Sequence, residues 1–370
     1  MRRKSIPGQL LRLLHVLILV PVWLIIRAAK AAPEAVETFY SEKLYPVIRG
    51  AVSTATRQLP FSLAEVSLYA LAALITVLAL IRLIKLILIK KDAFIRFLSF
   101  VISLVIAASY AVFAFYAMWG LNYYRTPLAK RLDLPERQYS AEELYEVCTE
   151  LAGKAKALRE EVSVDTSGVF CGNFDEMKKK VVEAYTAFGA SRPSFKVDAP
   201  EVKEVMASEY LSRCGISGIY IFLTEEPNVN TNEPFLYLPF TAAHETGHYL
   251  GYAREEEASF LAFLVCREAS DPAVAYSGYM HALANCSHAL AAADAHLYAL
   301  LKSTYSDGMN ADLADYSEYY KKYEGTRTWE KSNEVNDNYL KFNSQEKGVL
   351  SYNEDVSLIL RFFDSLGFFK

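Results

Sequence analysis

His244 and His248 stand four residues apart in the stretch Pro239-Phe240-Thr241-Ala242-Ala243-His244-Glu245-Thr246-Gly247-His248-Tyr249-Leu250-Gly251. On a helix that spacing sends both imidazoles from one face, a turn apart. Two neutral ring nitrogens so placed can grip one zinc ion, and Glu245 beside them can reach a water bound to it. This is the H-E-x-x-H pattern of zinc peptidases. With six histidines in the chain, a chance match is expected in about one such chain in a hundred. The plain alternative is a helix with two surface histidines and an unrelated glutamate.

A catalytic zinc takes three protein ligands and one water. The segment Arg254-Glu255-Glu256-Glu257-Ala258-Ser259-Phe260 sets three carboxylates just past Gly251. With Glu255 as third ligand, Ser259 falls one turn later and can hydrogen-bond a ligand histidine. Glu257 is the second choice, and Glu256 then turns to solvent. Three glutamates also suit a helix N-terminus, where the dipole favours negative charge. His15, His281, His288 and His296 are more distant candidates for the third ligand. In this chemistry Glu245 takes a proton from the zinc-activated water and delivers one to the leaving amine. His281, Tyr276 and Tyr352 could assist at the oxyanion, and none of the three is singled out.

The elements that must position these groups read as mostly helical. The metal helix spans about 242–250, with Thr241 as its N-cap and Gly251 ending it in the left-handed conformation. Phe235 to Leu238 suits a strand beside it. Ser140 and Glu143 form a capping box for a helix reaching Arg159. Further helices are expected over 175–188, 201–214, 255–268, 276–305 and 313–323. Two more lie within 330–363, separated near Gly348. One strand is expected over 216–224, rich in β-branched and aromatic residues, and a loop over 225–233. The fold class is therefore mainly α, an α+β domain with a small sheet.

Ahead of this domain lie three apolar runs, about 6–26, 61–81 and 97–121, each near membrane-spanning length. Arg12 falls inside the first and is expected to snorkel to the surface. The first run also resembles a signal peptide, although its tryptophan and proline suit a retained span. Residues 1–120 carry 14 Lys+Arg against 5 Asp+Glu; the rest carry 25 against 38, so +9 and −13 give the overall −4. The chain thus divides into a three-span anchor, 1–120, and a domain, 121–370. A domain this acidic is a poor partner for nucleic acid. Basic residues at Arg2-Arg3-Lys4 and over 82–96 place those segments in the cytoplasm, and residues 27–60 with the domain outside it. Arg125, Lys130, Arg131 and Arg137 run against that rule. The five cysteines form no C-x-x-C pair and read as scattered thiols. The sequence leaves the oligomeric state open.

The spans ending in Trp119-Gly120-Leu121-Asn122-Tyr123-Tyr124-Arg125-Thr126-Pro127-Leu128, the H-E-x-x-H core, Glu255–Phe260 and Tyr276-Ser277-Gly278-Tyr279 resemble a bacterial family of membrane-anchored proteins catalogued as a domain of unknown function. Val335–Leu340 and Gly348–Tyr352 extend the likeness. Members of that family are similar to zincin metallopeptidases. The resemblance implies a zincin-like fold, Zn2+ as cofactor and a peptide or protein substrate at the plasma membrane. The family usually has asparagine at the place of Ser259. The short interval from His248 to Glu255 is closer to metzincins than to thermolysin-like enzymes, but Arg254 stands where metzincins have a third histidine. Two alternatives remain: a zinc amidase acting on a cell-wall substrate, and a non-catalytic, zinc-stabilised envelope scaffold.

Overall fold

The computed structural model describes residues 6–88, 93–343 and 354–369. Arg2-Arg3-Lys4, Lys90, Lys91, the expected break near Gly348 and Tyr352 lie outside the described residues. Among the described residues, three helices are long and apolar enough to cross a membrane: α1 (Pro7–Ala31), α3 (Leu63–Leu88) and α4 (Ala93–Met118). Between α1 and α3, the chain forms a π-helical turn, Val36–Leu44, and the helix α2 (Tyr45–Thr56). Arg12 lies against α4. Its guanidinium donates to Gln9 Oε1 (2.9 Å) and to Ser99 Oγ (3.0 Å) and Ser103 Oγ (2.8 Å) on α4, where hydroxyls satisfy it inside the helix bundle.

Among the described residues, the longer helices that follow are α5 (Ala141–Arg159), α6 (Phe174–Ala190), α7 (Ser208–Cys214), α8 (Leu238–Tyr249), α9 (Glu255–Arg267), α10 (Pro272–Ala293), α11 (Ala295–Lys302), α12 (Asp307–Lys321), α13 (Arg327–Phe342) and α14 (Asp355–Ser365). Ser140 and Glu143 close the capping box of α5 as the sequence indicates. The block 276–305 is two helices rather than one, because Asp294 leaves the helical conformation and its carboxylate caps His296 and Leu297. The expected helix over 201–214 is reduced to α7, since Lys203–Glu204 pair as a strand.

The sheet has three short strands in the order β1 (Lys203–Glu204), β3 (Glu226–Val229), β2 (Gly218–Ile221). β1 runs parallel to β3, and β2 antiparallel to it. The segment 225–233 is therefore half strand. Pro227 is tolerated in the middle strand because β1 pairs only with Asn228 and Val229, so no ladder donor is needed at Pro227.

The large core joins α5, α6, α8, α9 and α10. A second cluster gathers Val22 and Ala29 of α1, Tyr45, Tyr116 of α4, Trp119 and Tyr123 around Ala253. The expected division at residue 120 cuts through this packing. Glu65, the lone acid near the start of the second apolar run, accepts from the Met206 N–H (2.7 Å) and Ala207 N–H (2.9 Å). Glu226 accepts from Leu63 N–H (3.0 Å) and Ala64 N–H (2.8 Å), capping α3. The five cysteines are free.

Candidate metal centre

α8 begins four residues earlier than expected, with Pro239 in its first turn, so Thr241 lies inside the helix and caps nothing. That early start also absorbs Leu238, and Phe235–Tyr237 is a turn rather than a strand. The strands beside the metal helix are β2 and β3 instead. Gly218 lies so close that a Cβ there would come within 2.5 Å of Glu245 Oε1. At the other end Gly251 has φ 90°, with Tyr45 and Asn122 packed where a side chain would go. Glycine is required twice over, by backbone conformation and by space.

The last carbonyls of α8 are satisfied by distant side chains, three of them from segments before residue 120. Trp119 Nε1–H donates to His248 O (3.2 Å), Tyr45 OH (2.9 Å) and Arg49 Nη1 (3.1 Å) to Tyr249 O, and Arg125 Nη1 to Gly251 O (3.0 Å). Orphan carbonyls at a helix end need such partners when buried.

The structure brings His244, His248 and Glu255 together. Glu255 Oε2 lies 3.2 Å from His244 Nε2 and 3.4 Å from His248 Nε2, and one ligand atom from each residue falls within 4.8 Å of the others. The opposite ring nitrogens are engaged: Ser259 Oγ with His244 Nδ1 (3.1 Å), and Tyr252 O with His248 Nδ1 (2.7 Å). Those contacts turn both Nε2 atoms toward the carboxylate, the orientation a cation between them requires. A hard-to-soft set of two imidazoles and one carboxylate suits zinc.

Glu257 points elsewhere, accepting from Leu128 N–H (2.8 Å) and Arg254 Nη1 (2.7 Å). Glu256, expected in solvent, is half-buried; burial and then the Glu257 charge push it up to about 7. His281 stacks on Phe240 at 3.6 Å, and burial followed by the nearby His244 holds it down at about 3. His15 bonds Tyr110 (3.0 Å), and Tyr276 donates to Asp312 (2.6 Å) in the core. His288 and His296 are exposed.

Within the cluster, burial pushes Glu255 up, but the two imidazoles outweigh it and hold the carboxyl well below its usual range. Burial pushes His248 down, yet the Glu255 charge carries it up to about 9; His244 is lowered, chiefly by burial. Glu245 is buried and pushed up to about 8 by that burial, with no donor among the described residues on its Oε2. A dication within reach favours the charged form of such a carboxyl. Sequence reasoning missed Tyr252 O and Trp119, whose roles depend on the turn at Gly251 and on packing across 129 positions.

A mostly helical protein emerges, with three apolar helices of membrane-spanning length and a buried pair of histidines facing a glutamate. The chain belongs to the family described as a protein of unknown function (DUF3810), which matches residues 40–360. No curated protein and no solved structure matches it.

Proposed function

We propose that the chain is a membrane-anchored zinc metallopeptidase, its three apolar helices crossing the plasma membrane and a zincin-like domain lying outside the cytoplasm. The convergence of His244 Nε2, His248 Nε2 and Glu255 Oε2, each ring held from behind, carries the reading. Zinc bound there would acidify a water and polarise a substrate carbonyl. Glu245, on the same helix turn and against β2, takes the water's proton and returns one to the leaving nitrogen. Trp119, one residue past α4, touches the carbonyl of His248. The reactive centre therefore lies at the membrane surface, and polypeptides held near the bilayer are the substrate this placement favours. The same chemistry would serve a cell-wall amide.

A purely structural zinc site is the second reading, favoured by the burial of Glu245, only 4% exposed. Purified full-length protein separates the two. Zinc should be present in the wild type and in Glu245→Gln, and absent from Glu255→Ala. Turnover of a peptide and wall-fragment panel should fall about 10²–10⁴-fold in Glu245→Gln. Equal turnover in that variant removes the enzyme, and full zinc in Glu255→Ala removes the site.

A further inference from the structure

Glu233 sits in the loop before α8, buried to 8% exposure, and among the described residues no donor reaches its Oε2. Burial pushes its carboxyl up to about 7, a rise that the Ser217 side chain partly offsets. A buried carboxyl with a bare oxygen is costly unless something completes it.

Tyrosines wall this loop. Tyr316, Tyr319 and Tyr320 of α12, with Tyr323 just past its end, recur at i, i+3, i+4 and i+7, one face of a helix. That face is turned toward the loop. The Tyr316 ring packs 4.6 Å from Tyr237, and Asn232 Nδ2 donates to Tyr323 OH (3.2 Å). Tyr319 OH donates to Ser212 Oγ (2.7 Å), which also receives Asn230 Nδ2 (3.0 Å). Burial first, and then the Glu233 charge, pushes the phenols of Tyr316, Tyr319 and Tyr320 above their ordinary range, which keeps them protonated. A carboxylate with a spare oxygen among phenol oxygens and ring faces complements an alkylammonium ion, through charge-assisted hydrogen bonds and cation–π attraction.

The cage adjoins the metal cluster. Ser217, whose carbonyl accepts from the Asn230 N–H of the same loop (2.8 Å), directly precedes Gly218, the residue packed on Glu245. On the other side, His281 links Tyr237 (5.7 Å) to Phe240 (3.6 Å), whose ring is 6.4 Å from His244. A chain laid along β2 with its reacting bond at Glu245 would bring a neighbouring group to Glu233.

We propose that Glu233 and the wall of Tyr237, Tyr316, Tyr319 and Tyr320 form a subsite for a primary ammonium group of the substrate, a lysine side chain or a free amino terminus. The subsite rests on the hydrolase reading for its purpose, but its binding can be measured without turnover. The probe is n-butylammonium, with n-butanol as the neutral control of the same shape, titrated against the full-length protein by tyrosine fluorescence and calorimetry. Butylammonium should bind about tenfold or more tightly than butanol. Glu233→Gln should remove that preference, while Glu245→Gln and chelator-treated protein should keep it. Equal affinity of the wild type for the two probes overturns the proposal, even if Glu233→Gln fails to fold; so does a preference that survives in folded Glu233→Gln. Peptides then distinguish the source: amino-terminally acetylated lysine peptides against norleucine peptides with a free amino terminus. Ammonium binding with no hydrolysis of any peptide would leave the subsite standing and remove the peptidase.

Discussion

Ser259 and Glu257, two residues apart on α9, have opposite importance for a bound cation. Ser259 Oγ fixes the His244 ring through Nδ1, so Ser259→Ala should weaken zinc binding about 10–100-fold by competition titration with a chelator. Glu257→Ala should leave zinc affinity unchanged and lower stability by about 1–3 kcal/mol, because buried Leu128 N–H loses its acceptor. Thermal unfolding of the two variants reads the difference. The shared face of His244 and His248 was legible because helical contact at four residues is local. The preference for Glu255 over Glu257 rested on the four-residue offset to Ser259, since spacing from the histidines alone does not separate the two carboxylates. Glu257 is drawn away by Leu128, a partner 129 positions distant. Tyr252 O was equally hidden, because a backbone carbonyl carries no mark of its direction in the sequence.

At the level of elements, long amphipathic helices and their caps were readable, and short strands were not. β3 has four residues, one of them proline, and exists because β2 lies antiparallel beside it. The turn joining them puts Glu225 at φ 53°, fully buried, where Tyr45 (3.2 Å) and Tyr220 both donate to Oε2. Burial raises Glu225 from 4.5 to about 7, partly offset by those hydroxyls. A carboxyl raised in the folded state contributes stability that is full below about 4.5 and lost as pH rises through about 7. Stability should therefore decline between pH 5 and 8. Glu225→Gln, which keeps an acceptor for both tyrosines, should flatten that decline by up to about 3 kcal/mol. Melting temperatures across that pH range measure it; an unchanged slope would assign the pH dependence to other groups.

Across the whole molecule, the boundary drawn at residue 120 followed composition, whereas packing ignores it. Glu37 between the first two apolar helices receives Arg125 through two bonds, 2.8 and 2.6 Å, and Arg131 at 3.1 Å. Lys130 pairs with Glu34, and Arg137 with Asp364 and Glu143. The four cations that seemed misplaced beside the third span are thus ion-pair partners, a role that charge counting along a sequence does not reveal. Removing one member of a buried pair leaves the other uncompensated, so Glu37→Gln should cost about 3–5 kcal/mol. Thermal unfolding in detergent checks it, and a loss no greater than that of the exposed Glu34→Gln would contradict it. Within 27–60, Tyr45 and Arg49 reach the Tyr249 carbonyl at the end of α8, long-range bonds that composition does not reveal.

Trimming the chain to a water-soluble fragment starting at 121 would also delete Trp119, Tyr45 and Arg49, and with them the groups that close off the carbonyls at the end of α8. Such a fragment would keep every coordinating atom yet lose the fastenings that hold two of them still. Feeble metal uptake by it would report on the missing clasp rather than on the intact protein.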